Sequence, residues 1–246
     1  MFRFATNSLI NYRIIESKSC YIRCVRTLPS LNLDSISKDE QSLTVSYLTN
    51  SCGLSLQRAV AATKYVNIER TDKPDSVLQL LRAHGFTKSH IASLISMSPH
   101  LILADPEKTL KPKFEFLESL GVAKPDIPKI LCVHAPILGS SLKNRILPTV
   151  NFLRGILETD DKVIHVLKRC PLPLRYGTEA MVSNIETLRA HGVPDSAMRS
   201  LLVLDPRTLM FRVDLFEQAV LEVKEMGFEP ENKCFIFALR SMTVMS

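Results

Sequence analysis

One period constrains this chain more than any other feature. Gly85, Gly121, Leu157, Gly192 and Gly227 fall 36, 36, 35 and 35 positions apart, and the segments leading into them match. SVLQLLRAHG ends at Gly85, PKFEFLESLG at Gly121, PTVNFLRGIL at Leu157, SNIETLRAHG at Gly192 and QAVLEVKEMG at Gly227. A fixed period of this length marks a supersecondary unit that recurs and buries its apolar face only by stacking on its neighbours. Seven and four residues before each anchor stand Leu78 and Leu81, Phe114 and Leu117, Val150 and Leu153, Ile185 and Leu188, Val220 and Val223. That spacing lines one face of a helix ending at the anchor, where glycine takes the left-handed backbone that closes it.

A second pattern follows each anchor, with apolar residues six, nine and ten positions on. The sets are Ile91, Leu94 and Ile95; Ile127, Ile130 and Leu131; Val163, Val166 and Leu167; Met198, Leu201 and Leu202; and, less well, Lys233, Ile236 and Phe237. Thr87, Asp126, Asp160 and Asp195 are the N-cap candidates of this shorter helix. Pro99, Pro136, Pro171 and Pro206 then stop it, because proline cannot extend the hydrogen-bond ladder. Each proline introduces a short apolar piece, long enough for one tight helical turn. The spacing therefore predicts an all-α fold, a solenoid of helical hairpins over residues 40–246, with a partial repeat around Gly53 ahead of the five full ones. The pattern does not set the hand of the superhelix.

Charge is unevenly spread along the 246 residues, which total +6. Residues 1–33 hold five bases and one acid, residues 34–107 sum to −1, residues 108–175 hold twelve bases and six acids, and residues 176–246 sum to −3. The first segment, with Arg3, Arg13, Arg23 and Arg26 among Ser, Thr and apolar residues, reads as an organellar transit peptide. Mitochondrion is the expected destination and chloroplast the alternative. No run approaches the roughly 18 apolar residues of a membrane span, so no membrane association is expected. Of six cysteines, Cys20 and Cys24 fall in the presequence, and Cys52, Cys132, Cys170 and Cys234 are expected to be small buried hydrophobes rather than zinc ligands or disulfides.

No phosphate loop, dinucleotide fingerprint, HExxH or GxSxG motif occurs, and the six histidines are scattered. No catalytic residue, metal or cofactor is assigned. Asp160 and Asp161, adjacent and so on different helical faces, are helix starters.

The cadence SPHLILADPEKTLKPKFEFLESLGV, followed by API-L and SLKNRILPTVNFL, resembles the mitochondrial transcription termination factor (mTERF) family, in its plant organellar branch. SLTVSYLTNSCGLS and VKEMGF are similar to that branch as well, and the resemblance covers roughly residues 42–240. Family members usually continue for several more repeats, so this chain reads as C-terminally short. The resemblance implies binding of nucleic acid, chiefly double-stranded DNA of an organelle genome and in some members RNA.

Within the basic segment and just beyond it, the bases cluster where repeats join. Lys108, Lys111 and Lys113 enter one long helix, Lys143 and Arg145 the next; Lys168 and Arg169 precede Pro171, Arg175 follows it, and Arg207 and Arg212 surround the next turn. These ten residues are the candidate phosphate contacts. Phe114, Phe116 and Phe152 lie in the core pattern, so base stacking is not expected. The competing reading is a protein-binding helical scaffold, with a partner on an uncapped last repeat that leaves Phe235, Ile236, Phe237 and Leu239 open. The near-neutral charge of residues 34–246 favours it.

Overall fold

The computed structural model describes residues 42–245. The transit-peptide expectation for residues 1–33 therefore lies outside the described residues. Those that are described form helices and connections, with no strand among them. The partial repeat is α1 (Leu43–Asn50) and α2 (Leu56–Ala62). The first full repeat is α3 (Asp72–Ala83), α4 (Lys88–Met97) and a 3-10 turn at Pro99–Leu103. In the second, a π turn at Pro106–Leu110 runs into α5 (Lys111–Ser119), then α6 (Ile127–Val133) and a 3-10 turn at Ala135–Gly139. In the third, a π turn at Leu142–Ile146 runs into α7 (Leu147–Leu157), then α8 (Asp160–Arg169) and the short α9 (Pro173–Tyr176). The fourth is α10 (Glu179–Ala190), α11 (Asp195–Leu204) and α12 (Pro206–Leu209); the fifth is α13 (Val213–Glu225) and α14 (Lys233–Met245).

Each of the first four full repeats is thus a triangle of long helix, second helix and short helix. The second helices α2, α4, α6, α8, α11 and α14 form an unbroken row, each touching the next. All ten residues of the paired positions before the anchors are buried, as are the four regular triplets after them. The four closing prolines behave as their chemistry requires, with the second helix stopping two or three residues before each and the short helix starting at or around it. Ser241 stands where the fifth proline would fall, and there α14 continues to 13 residues.

Gly85, Gly121, Gly192 and Gly227 all have positive φ, and each closes its helix in the same way. The amide after the glycine bonds back five residues, as from Phe86 to the Leu81 carbonyl, and the glycine amide bonds back three, from Gly85 to Arg82. The repeat anchored at Leu157 departs from this. Leu157 is the last helical residue, and Glu158 takes the left-handed conformation at φ 69°, an uncommon choice for a side chain with a Cβ. Thr87 caps α4 as expected, but α8 is capped by Thr159, one residue before Asp160; α11 starts after Pro194, and neither Asp126 nor Pro194 makes a side-chain cap.

The fifth repeat corrects the predicted register. Its loop is three residues longer than those of the first and fourth repeats, so the buried residues of α14 are Phe235, Ile236 and Leu239, whereas Lys233 is exposed and Phe237 is 53% exposed. The expected open apolar end is largely closed, because α14 packs on α11, α12 and α13. Cys234 turns outward with the same shift, while Cys52, Cys132 and Cys170 are buried as expected.

A set of polar stitches was not foreseen. Eight residues before their anchors, Lys113, Thr149 and Asn184 point inward from the long helix. They donate to carbonyls of the short-helix row: Lys113 Nζ to Leu138 at 2.6 Å, Thr149 Oγ1 to Pro173 at 3.3 Å, and Asn184 Nδ2 to Leu209 at 3.0 Å and Phe211 at 2.9 Å. Each closes the triangle of its repeat; Lys113 and Asn184 bond carbonyls at the ends of short helices, and Thr149 shares the Pro173 carbonyl with the Gly177 amide. Lys113, only 5% exposed, is therefore no phosphate contact. Burial lowers its pKa. The unfolded chain then binds more protons than the folded one between the two pKa values, so stability rises with pH towards the ordinary lysine value. Buried Cys52, Cys132 and Cys170, with raised pKa values, pull the other way in both proteins, so we expect the urea midpoint of the wild type to gain on that of Lys113→Met as pH approaches 10; parallel pH profiles would contradict it.

Candidate nucleic-acid interface

The short helices and the first turns of the long helices share one edge of the repeat stack. The Pro106–Leu110 turn touches the Ala135–Gly139 turn, which touches α9; α9 also touches the Leu142–Ile146 turn. Beyond α9, a cleft of about 420 Å³ lies between Leu172, Tyr176 and Gly177 on one side and Arg207, Met210 and Phe211 on the other. Lys108, Lys143, Arg145, Arg175 and Arg207 are therefore carried in sequence along one continuous edge. The two π turns place Lys108 and Lys143 in the opening turns of their helices, where a cation opposes the helix dipole. Local stability does not explain bases there, whereas an anion passing along the edge would.

The carboxylates near these bases divide them into two classes. Lys111 pairs with Glu107 at 2.7 Å, which raises its pKa, and Arg212 pairs with Asp214 at 2.5 Å. Lys168 pairs across repeats with Asp126 at 2.6 Å; together with Lys129 at 2.8 Å it holds the Asp126 carboxyl down to about 2. Arg145 Nη1 donates to Glu179 Oε1 at 2.7 Å and to the Tyr176 carbonyl at 3.1 Å. Lys108, Lys143, Arg169, Arg175 and Arg207 are exposed and have no ion-pair partner among the described residues. Lys168 and Arg169 sit in the last turn of α8, before the edge, where their charge also favours the helix terminus.

The densest point is the Gly177 turn. Arg145 arrives from the third repeat, Arg175 and Tyr176 from α9, and Glu179 opens α10. His134 lies 5.7 Å from the Tyr176 ring, and its pKa is lowered by burial and then by Arg175, so it adds no charge near neutrality. Gly177 has φ 89° and ψ −165°, a conformation reserved for glycine. A Cβ there would also overlap the Arg145 guanidinium and the Glu179 carboxylate. Sequence reading missed Gly177 because it stands outside the 35-residue cadence. It missed Glu179 because the residue lies 34 positions from Arg145, one repeat away. Lys111–Glu107, four residues apart on one helix, was legible.

Among the described residues, no three His, Cys, Asp or Glu side chains group to hold a metal ion, and no helix is long and apolar enough to cross a membrane. The family model of mTERF matches residues 78–239, two thirds of the chain, from the first full repeat to the buried face of α14. The chain belongs to the mTERF family. This is a family of helical-repeat solenoids whose members are nucleic-acid-binding regulators of transcription termination and not known as enzymes. Among curated relatives, the transcription termination factor MTERF15, mitochondrial, of Arabidopsis thaliana is 28% identical over 91 residues. Those residues are 37% of this mTERF chain and span a fifth of the length of the relative.

Proposed function

We propose that this mTERF protein binds nucleic acid through the edge formed by its short helices and long-helix first turns, and so regulates organelle transcription or transcript processing. Double-stranded DNA is the expected ligand, with RNA as the alternative. The mitochondrion is the expected compartment, in keeping with the name of the relative, and the chloroplast the alternative. One observation carries the reading: Lys108, Lys143, Arg145, Arg175 and Arg207 follow one another along a single edge of adjoining repeats. Cations in file fit a phosphate chain, whose neutralisation releases counterions. Contacts of this kind go to the backbone, so sequence preference would rest on shape more than on base contacts.

The test is the affinity of the full chain for duplex DNA and for single-stranded RNA of equal length, between about 50 and 200 mM salt. Four to five phosphate contacts predict a log–log slope of about −4 on the preferred ligand. A slope shallower than about −2 on both would overturn the reading. The protein-scaffold reading would then lead, since self-pairing of Lys111, Arg145, Lys168 and Arg212 already removes part of the free positive charge.

A further inference from the structure

Arg145 is paired across repeats, as Lys168 is with Asp126, but on the edge itself. Lys111 and Arg212 are held by acids four and two residues away on their own segments. Glu179 instead comes from the next repeat and meets Arg145 directly over the Gly177 backbone. The two elements that meet at this turn carry three cations, Lys143, Arg145 and Arg175, and Glu179 is the acid paired with Arg145 there. The Glu179 side chain is 74% exposed, so water can take it whenever it leaves the guanidinium. Arg145 does not depend on it for orientation, because the Tyr176 carbonyl accepts from the same Nη1 at 3.1 Å. Gly177 brings no side chain, which lets the guanidinium and the Glu179 carboxylate both lie against the backbone at this turn, so the position an anion would take is the one the exposed carboxylate now holds.

We propose that Glu179 is a built-in competitor for phosphate at Arg145: in the free protein its carboxylate stands where a backbone phosphate binds, and nucleic acid enters by displacing it. This rests on the nucleic-acid reading above and names a regulation of the same site. An exposed ion pair is weak enough to be exchanged. A phosphate arriving in its place gains Lys143 and Arg175 as well as Arg145. The carboxylate thus lowers affinity without blocking the site, and screens the edge against stray anions.

The experiment compares wild type, E179Q, R145A and R145A/E179Q as full chains, by fluorescence anisotropy with a 20-base-pair DNA duplex and a single-stranded RNA of 20 nucleotides across the same salt range. E186Q is the control, two turns along α10 and exposed. Thermal melting checks that each variant is folded. E179Q is expected to bind about 3- to 10-fold more tightly, with the salt slope steeper by about one phosphate contact. E186Q should change affinity by less than about 2-fold, and E179Q should have no effect in the R145A background. Wild-type binding with E179Q unchanged or weaker would overturn the inference alone, as would equal tightening by E186Q or in the R145A background. No binding by wild type and E179Q on either ligand would overturn the functional reading and this inference together.

Discussion

Replacing Phe114 by alanine is expected to lower the unfolding free energy by about 3–5 kcal/mol. The ring is fully buried, and it reaches out of its own repeat. Its centroid lies 4.7 Å from the His84 ring and 5.7 Å from that of Phe86, both at the helix end of the preceding repeat. His84 is fixed in turn by Glu118, 3.1 Å away on the same repeat as Phe114. In a stack where each unit touches only its neighbours, stability is a sum of repeat and interface contributions. Removing this ring weakens one interface, which joins α1–α4 to the remainder. A typical domain has only about 5–15 kcal/mol in total, so uncoupling should be visible. Urea unfolding followed by circular dichroism is expected to shift to a lower midpoint and to split into two phases. Phe116→Ala, at a partly buried site on the same helix, should shift the midpoint less and leave one phase. A loss below about 1 kcal/mol for Phe114→Ala would mean that the junction is held elsewhere.

Reversing the charge of Lys143 and Arg175 together should abolish most nucleic-acid affinity. Both side chains are exposed and without an ion-pair partner among the described residues, on the Leu142–Ile146 turn and on α9, which touch. No side-chain hydrogen bond or ion pair among the described residues is lost with them, so the variant reads chiefly their role towards a ligand. Two phosphate contacts exchanged for two repulsions predict a drop on the order of 10- to 100-fold at 50 mM salt, and a slope shallower by about 2. Lys124→Glu with Lys162→Glu applies the same change in net charge at second-helix starts, away from the edge. That control should lose several-fold less. Equal losses in the two double variants would show a response to net charge alone, and the edge would have no special part.

Much of the fold was legible because helical repeats write their packing locally. An apolar residue at seven and four before an anchor, and at six, nine and ten after it, needs only the helix period to be placed inside, and all but the fifth repeat follow. The exceptions came where a loop changed length. A longer loop rotates the buried face of α14 onto Phe235 and Leu239, and a shorter one leaves Glu158 to turn the corner that glycine turns elsewhere. For the interface, composition located the basic stretch but could not say which bases face outward without a partner. Lys111, Lys113 and Lys143 look alike in sequence. One is paired to Glu107, one is buried against the Leu138 carbonyl, and one is exposed without an ion-pair partner among the described residues. Periodicity by itself determined the repeat, its helices and its core, since these follow from contacts a few residues apart. Only tertiary structure decided the edge, the stitches and the Arg145–Glu179 pair, because a charge or hydrogen bond depends on a partner 24 to 42 residues away, brought within 3.3 Å by packing inside a repeat or by the stacking of one repeat on the next.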